Sequence, residues 1–421
     1  MKSYKLKYGN TYQSFELPSQ WDSEILTYRE PGPLPAQEAL INSLKNPIDA
    51  KPLDIWLKDF KKILIICPDI TRYSGLDYLL PLIYERFLRD KDLRVIFALG
   101  NHRKQTDEER MGIISETLFK IIPNVDHDCF DPDALSFFGR TSSGLEVLLN
   151  KMLVETDAAI VTGSINFHYL AGFGGGRKSI FPGIAGYETI LGIHSKVFNR
   201  DKPGKHEKAK SGILKGNPMH EEIMEGIALI RTPMFLINTV IDDKKNLLNI
   251  FSGDLRTAHE TGCAWYLEHF GVRVRQKADI VIVSSGGFPK DINFIQTHKA
   301  IEHGLNAVSE NGYMIVVGRC EDGLGNADFL RWFEYPTIED MEPHVRTSDK
   351  VYSQTAYATR LKARYCNIIL VSDLDGEMVK KMGITPARTV QEAIDSIRHA
   401  IGPKKRPLCY IIPNGSNMLV Q

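Results

Sequence analysis

The chain has 421 residues, of which 43% are hydrophobic and 25% are charged. These proportions are ordinary for a globular protein and exclude a disordered, collagen-like or fibrous chain, and the length predicts two or three domains. Lys plus Arg and Asp plus Glu both number 52, so the formal charge is zero and gives no overall attraction to nucleic acid or to an anionic membrane. This balance still allows a local basic pocket for a small anion.

No segment of the sequence predicts export or membrane insertion. The first residues, MKSYKLKYGNTYQSFELP, lack the apolar centre of a signal peptide, and no apolar run approaches the ~20 residues that span a bilayer. The six cysteines form no CxxC pair, which argues against a disulfide framework or a zinc knuckle and fits a reducing compartment. We therefore expect a cytoplasmic protein without membrane or nucleic-acid partners.

Six short apolar runs predict β-strands. They are mostly rich in Ile and Val and do not alternate with polar residues, which is typical of parallel strands covered on both faces. The runs are ILIIC at 63–67, VIFAL at 95–99, AAIVT at 158–162, IVIVS at 280–284, YMIVV at 313–317 and NIILV at 367–371.

Stretches with helical periodicity lie between these runs. One extends from Leu76 to Phe87, with Pro81 inside the helix or at its start, and another runs from Thr106 to Leu118 with an acidic first turn. Residues 254–277 predict a helix followed by a turn at Gly271. This alternation predicts an α/β fold of two domains with mostly parallel sheets and an active site in the cleft between them. We place the domains at residues 1–270 and 271–421.

The first predicted strand ends in CPDITRYSG, residues 67–75. Asp69, Thr71 and Arg72 at the carboxyl end of a strand suit a ribose hydroxyl, a phosphate and a carboxylate respectively. The alternative is a plain turn in which Asp69 binds its own backbone. His102 follows the second strand in a loop of the same kind.

The glycine-rich segment after the strand AAIVT is the most informative part of the sequence. Gly174, Gly175 and Gly176 precede Lys178 in INFHYLAGFGGGRKSIFPG, and successive glycine N–H groups can form a cradle for phosphate. A P-loop, GxxxxGK[ST], fails by one residue because Arg177 occupies the position of its second glycine. A glycine-rich turn without a ligand is the alternative.

Histidines flank this loop, and a polar pair follows a later strand. His168 lies just before the loop and His194 lies after it, at a spacing that matches no local zinc motif. Gln296 and Lys299, in SSGGFPKDINFIQTHK, are three residues apart and lie on one face if this segment is a helix.

Together these segments resemble the lactate racemase family, whose members use a nickel-pincer nucleotide. The resemblance covers most of the chain, and its HYLAGFGGGRKSIFPG block is much longer than a chance glycine pattern. The matching pieces are DxTR at 69–72, GxH at 100–102, HYLAGFGGGRKS at 168–179, PG at 182–183, His194, GNPMHEE at 216–222, SGDLRTAHETGC at 252–263 and the pair Gln296 and Lys299.

The resemblance implies a function and a role for each matching residue. The function is racemisation or epimerisation of a 2-hydroxy acid by hydride transfer to a pyridinium mononucleotide whose thioamide and thiocarboxylate arms hold nickel. It also implies that other proteins make and install this cofactor. The implied roles are thioamide formation for Lys178, nickel ligation for His194, acid/base catalysis for His102 and His168, substrate binding for Arg72, Gln296 and Lys299, and binding of the cofactor's ribose and phosphate for Asp69, Thr71, Gly174, Gly175 and Gly176.

One departure from the family pattern concerns the substrate. Members often carry Tyr directly before the glutamine of the QxxK pair, where this chain has Ile295 after Phe294. The two residues could form an apolar wall for a side chain longer than that of lactate. Two other functions are compatible with the sequence: a P-loop-like phosphotransferase, which would bind ATP without nickel, and a non-catalytic binding protein on the same fold, which would bind ligand without turnover.

Overall fold

The computed structural model describes residues 2–348, 350–402 and 406–421. Its strands are β1 (Lys2–Tyr8), β2 (Thr11–Leu17), β3 (Asp22–Ile25), β4 (Lys62–Pro68), β5 (Asp92–Ala98), β6 (Asn124–Asp126), β7 (Leu135–Arg140), β8 (Glu146–Asn150), β9 (Ala158–Ser164), β10 (Phe167–His168), β11 (Gly172–Phe173), β12 (Met234–Ile241), β13 (Leu247–Gly253), β14 (Gly271–Val272), β15 (Ala278–Ser284), β16 (Val308–Val317), β17 (Asn367–Val371), β18 (Thr385–Ala387), β19 (Leu408–Ile412) and β20 (Leu419–Val420).

The α-helices are α1 (Ala36–Lys45), α2 (Leu53–Trp56), α3 (Leu76–Ile83), α4 (Asp107–Ile114), α5 (Glu116–Ile121), α6 (Arg177–Ile180), α7 (Tyr187–Ser195), α8 (Pro218–Ala228), α9 (Thr257–Phe270), α10 (Phe294–Gly304), α11 (Ile338–Arg346), α12 (Val351–Tyr365), α13 (Gly376–Lys381) and α14 (Val390–Ile401). Shorter helical turns are Leu57–Asp59, Tyr84–Leu88, Pro132–Ala134, Lys151–Leu153, Leu305–Ala307 and Phe329–Glu334.

The chain forms two compact units. The central unit comprises Glu30–Arg200 and Lys205–Glu268, and the terminal unit comprises Met1–Arg29, Asp201–Gly204 and His269–Gln421. The main sheet of the central unit has the order β13-β12-β9-β4-β5-β6 and is parallel except for the β12–β13 pair. The main sheet of the terminal unit, β18-β17-β16-β15-β19-β3, is parallel throughout.

Both sheets are buried on both faces, as the apolar runs predict. In β4, Ile63 and Ile65 belong to a core that includes Leu79 of α3, while the intervening Leu64 and Ile66 are equally buried. All six predicted runs are strands, and the fold is α/β with mostly parallel sheets, which confirms the predicted class. Among the described residues, no helix is both long enough and apolar enough to cross a bilayer.

The helix predictions hold with local differences. The helix from Leu76 continues past Pro81, which lies inside it. The segment from Thr106 is two helices, because Ser115, at φ 73°, ends α4 and caps α5 through its hydroxyl. The helix in 254–277 is α9, and Gly271 begins the short strand β14, where a turn was predicted.

The first 29 residues belong with the C-terminal part of the chain, whereas the predicted division groups them with residues up to 270. The reason is strand pairing and core packing: β3 pairs in parallel with β19, and Phe15 of the β1–β2 hairpin lies in one core with Ile282 and Ile394. These contacts are long-range, so the sequence around 1–29 carries no local sign of them.

The carboxyl ends of β9, β4 and β5 lie side by side at one edge of the central sheet. The chain segments that leave these three ends carry the glycine loop, Asp69 and His102. In parallel α/β sheets this edge is where ligands bind, so the fold gathers the predicted residues of the first half of the chain.

Candidate active site

Asp69 is the centre of a hydrogen-bonded turn at the end of β4. It is 3% exposed, and its Oδ1 accepts hydrogen bonds from the Thr71 backbone N–H at 3.1 Å and from the Thr71 hydroxyl at 2.6 Å. The Arg72 N–H donates to the Asp69 carbonyl at 3.0 Å. The turn therefore orients Asp69, Thr71 and Arg72 at the sheet edge.

The second carboxylate oxygen of Asp69 binds His102. Its Oδ2 accepts a hydrogen bond from His102 Nδ1. Burial alone would raise the pKa of Asp69, but the hydrogen bonds from His102 and Thr71 outweigh burial and lower it. Asp69 is thus an ionised carboxylate that places a ring proton of His102 on Nδ1, so that the neutral tautomer of this ring has its lone pair on Nε2. Sequence reasoning missed this pair, because 33 residues separate its members.

The glycine loop lies directly on strand β9. A Cβ atom on Gly163 would be 2.4 Å from the Gly176 nitrogen, and one on Gly176 would be 3.2 Å from the Thr162 carbonyl oxygen. Gly175 has φ 106°, a conformation that side chains disfavour. These close backbone contacts explain why the segment is rich in glycine.

Alanine at Gly163 is expected to destabilise the protein by about 1–3 kcal/mol, because its methyl group overlaps the backbone of the loop. Denaturant unfolding of the variant measures this loss. Gly112→Ala is the matched control, since no atom lies within 4 Å of its added Cβ and alanine favours a helix by about 1 kcal/mol over glycine. A Gly163→Ala protein as stable as the wild type would contradict the contact between loop and strand.

Lys178 and His168 are in direct contact. Lys178 Nζ lies 2.6 Å from His168 Nε2, while His168 Nδ1 accepts backbone N–H bonds from Leu170 at 3.3 Å and Ala171 at 3.1 Å. Burial, and then the positive charges of Arg72 and Arg177, hold the pKa of the Lys178 amine well below its ordinary value. Burial, then the charges of Lys178 and Arg72, lower the pKa of His168 as well. Burial and the neighbouring arginines thus favour the uncharged form of both groups.

His194 lies in the last turn of α7, close to the same group. Burial lowers its pKa to about 4, a hydrogen bond to the Ile190 carbonyl opposes this shift, and the charge of Lys178 adds to it. The His194 Nδ1–H donates to that carbonyl at 2.8 Å, so the ring lone pair is on Nε2. A neutral imidazole with this tautomer suits a metal ligand. Among the described residues, no three His, Cys, Asp or Glu side chains form a metal-binding group.

Arg177 is a second residue whose role sequence reasoning missed. It is fully buried; its Nε donates to His259 Nε2 at 2.7 Å, and its Nη2 donates to the carbonyls of Ala171 and Phe173. Asn238 Oδ1 accepts the Gly176 N–H at 2.7 Å and its Nδ2 lies 3.3 Å from His259 Nδ1. This network anchors the loop to β12 and α9. The one feature of the sequence that pointed to it was the matching segment SGDLRTAHETGC, which contains His259.

Gln296 and Lys299 lie in the first two turns of α10 in the terminal unit. The Lys299 amine donates to Gln296 Oε1 at 2.7 Å, so the helix and the shared face predicted for this pair are both present. Ile295 beside them is partly exposed. Phe294 is fully buried against Phe329, so the expectation that Phe294 forms part of a substrate wall is wrong.

Most of the predicted site residues form one group in the central unit. Arg72 links them, because its charge acts on Asp69, on His168 and on Lys178. The pKa values of His168, His194 and Lys178 are all lowered here, and perturbed groups in one place are characteristic of a catalytic site. The arrangement can move protons and can supply an amine nucleophile.

Comparisons with known proteins give a consistent result. A family profile described as "Lactate racemase N-terminal domain" matches residues 8–205, and one described as "Lactate racemase C-terminal domain" matches residues 274–420. A lactate racemase from Thermoanaerobacterium thermosaccharolyticum is 31% identical, with 100% of both chains covered. One from Lactiplantibacillus plantarum is 30% identical, with 95% of this chain and 94% of that protein covered.

Solved structures resemble the chain as well. The lactate racemase apoprotein from T. thermosaccharolyticum superimposes with a TM-score of 0.90 at 29% identity, over 100% of both chains. A Thermotoga maritima protein superimposes with a TM-score of 0.62 at 18% identity, over 94% of this chain and 100% of that one; at this identity the similarity concerns the fold alone.

Proposed function

Since the chain belongs to the lactate racemase family and is therefore an isomerase, we propose that it racemises or epimerises a 2-hydroxy acid with a nickel-pincer nucleotide bound covalently to Lys178. The observation that carries the proposal is the position of Lys178 directly after the glycine loop, with its Nζ 2.6 Å from His168 Nε2. An unprotonated amine is the nucleophile that a covalent link to a cofactor requires.

The residues of this group fit the proposed cofactor. The Lys178 amine would provide the covalent anchor, and His194 would provide a nitrogen ligand of a kind suited to nickel. Asp69, Thr71, Gly174, Gly175 and Gly176 are the proposed contacts to ribose and phosphate, and glycine N–H groups suit the phosphate. The chemistry that the cofactor supplies when bound is reversible acceptance of a hydride.

The chain's own residues orient the substrate and move its hydroxyl proton. Arg72 binds the substrate carboxylate as a guanidinium–carboxylate pair, and Gln296 and Lys299 bind substrate oxygen atoms. Removing the α-hydrogen as a proton would leave a carbanion, to which the neighbouring carboxylate gives little stabilisation. Removing it as a hydride avoids the carbanion and gives a planar 2-keto acid. The hydroxyl proton must leave with the hydride and return on inversion, which requires two acid/base groups.

His102 and His168 are the proposed acid/base groups. With the Nδ1–H of His102 bound to Asp69, the neutral form of this ring has its lone pair on Nε2. In the cofactor-free chain the ring proton of His168 is on Nε2, because two backbone N–H groups point at its Nδ1. In the proposed reaction each histidine, as a neutral imidazole, takes the hydroxyl proton of one enantiomer and, as an imidazolium, returns it when that enantiomer is formed.

The experiment that tests the proposal is intact mass together with nickel content, on protein purified from cells that make the cofactor. We expect a mass increase that maps to the Lys178 peptide and about one nickel per chain. On this proposal the protein works in the cytoplasm and depends on proteins that make and install the cofactor. ATP binding without nickel would instead favour a phosphotransferase, which no observation supports, since Arg177 fills the P-loop glycine position and is buried.

We expect Ile295 to influence which size of 2-hydroxy acid the protein prefers as substrate. An isoleucine in place of the family's frequent tyrosine removes a hydroxyl, so discrimination in favour of lactate should weaken. One methylene in an apolar contact changes discrimination by about 1–3 kcal/mol, so we expect turnover of several 2-hydroxy acids and a higher kcat/KM for at least one larger than lactate. A panel of D- and L-2-hydroxy acids, assayed by loss of optical purity, measures this; strict preference for lactate would contradict it.

A further inference from the structure

The hydrogen bonds around His168 determine where its ring proton lies. Leu170 and Ala171 both donate backbone N–H bonds to Nδ1, so Nδ1 must carry a lone pair. A neutral imidazole has one N–H, which is therefore on Nε2. Lys178 Nζ is 2.6 Å from that atom. An ammonium group has no lone pair to accept this N–H, so the contact selects the free amine.

The charges near Lys178 favour the same state. Arg72 and Arg177 are the cations that act on it, and His168 and His194 are neutral imidazoles. In the described part of the chain, no carboxylate forms an ion pair with Lys178, and its one hydrogen bond through Nζ is to His168. Burial and nearby cations both disfavour protonation of an amine.

We propose that His168 has a second task before the cofactor is attached: its Nε2–H binds the lone pair of the Lys178 amine and holds that amine as an uncharged, oriented nucleophile. This inference rests on the proposed function, since it concerns the same covalent link. His168 is a positioning residue in this step and acts on the substrate only after loading.

The attachment needs this state of the amine. The Lys178 nitrogen forms a C–N bond to the carbon of a thiocarboxyl group, and the C–O bond of that carbon breaks. The oxygen leaves as water with one proton from the amine and one from the thiocarboxyl group, so no electrons are gained or lost. A protonated lysine has no lone pair with which to form the C–N bond.

The test measures the reactivity of Lys178 in cofactor-free protein. Trace acetylation with acetic anhydride over a range of pH, followed by peptide mass mapping, gives the pH at which the Lys178 amine is half-reactive. We expect this pH in the wild type to lie well below the ~10.4 of an ordinary lysine. Exposed Lys120 in the same digest provides the internal reference.

Substitutions at His168 separate its role from that of burial. In His168→Ala the half-reaction pH should rise by more than about half a unit, because the N–H donor is lost and water can enter. His168→Gln offers an amide N–H in its place and should reverse at least half of that rise. His399→Ala, at an exposed histidine in the terminal unit, should leave the value unchanged. Circular dichroism confirms that each variant is folded.

Three outcomes would overturn the inference: an ordinary half-reaction pH in the wild type, a rise of half a unit or less in His168→Ala, or a glutamine variant that behaves like the alanine variant. The last outcome would mean that the space and water around Lys178, and not a hydrogen bond from residue 168, determine the half-reaction pH of its amine. None of these outcomes decides whether Lys178 carries the cofactor, which is tested separately by the adduct mass and nickel content of the loaded protein.

Discussion

Replacing Lys178 with alanine is expected to eliminate both the covalent adduct and racemase activity. The variant lacks the amine that forms the bond, and the cofactor supplies the hydride chemistry for which the chain has no substitute. Lys178→Arg should give the same result, because a guanidinium is protonated at neutral pH and is not a nucleophile. Intact-protein mass and loss of optical purity of a 2-hydroxy acid are the two measurements.

The matched control for this prediction is Lys120→Ala. Lys120 is exposed on α5 of the same unit, where it forms an ion pair with Glu116, and exposed pairs contribute about 0–1 kcal/mol to stability. This variant should keep the adduct and full activity. An adduct that persists in Lys178→Ala, or that maps to another lysine in the wild type, would show that Lys178 is not the attachment site.

Replacing His102 or His168 with glutamine is expected to reduce kcat/KM by about 10²–10⁴-fold, the usual contribution of one acid/base group. For enantiomers the equilibrium constant is one, so kcat/KM must fall by the same factor in both directions. Nickel content and adduct mass should be retained, because neither residue is the proposed ligand. Asp69→Asn should have a smaller effect in the same direction, since it removes the carboxylate that fixes the His102 tautomer.

His399→Gln serves as the histidine control, because this side chain is exposed on α14. A His102 or His168 variant that lost nickel while its folded state was intact would identify that histidine as a ligand and contradict its acid/base role. Unequal changes of kcat/KM for the two enantiomers of one substrate would indicate a fault in the assay, since the Haldane relation forbids them.

The strands were predictable from the sequence because a strand that is buried on both faces needs an apolar side chain at every consecutive position. Runs such as ILIIC need both faces covered, and the structure covers both. The glycine loop was predictable for a similar reason, since several glycines in one short segment indicate close backbone contacts. In each case the physical requirement falls on neighbouring positions, so a local pattern records it.

Pairs distant in sequence were not predictable in the same way. Asp69 and His102 come from the ends of two strands, and Arg177 and His259 are 82 residues apart. Each member alone has an ordinary explanation as a turn residue or a surface charge. Only the pairing of β4 with β5, and the contact of His259 in α9 with the loop, give them a specific chemical role.

The membership of residues 1–29 in the terminal unit has a consequence for the order of events during synthesis. The β1–β2 hairpin and β3 are synthesised well before β15 and β19, with which they share a core and a sheet. At about 5–20 residues per second, the early segment waits tens of seconds with Leu6, Phe15 and Leu17 lacking their final neighbours. The central unit, whose segments are all complete by Glu268, can fold during this interval. Closure of the terminal sheet around the N-terminal segment thus follows the synthesis of β19, and this segment is exposed to chaperones and proteases until then.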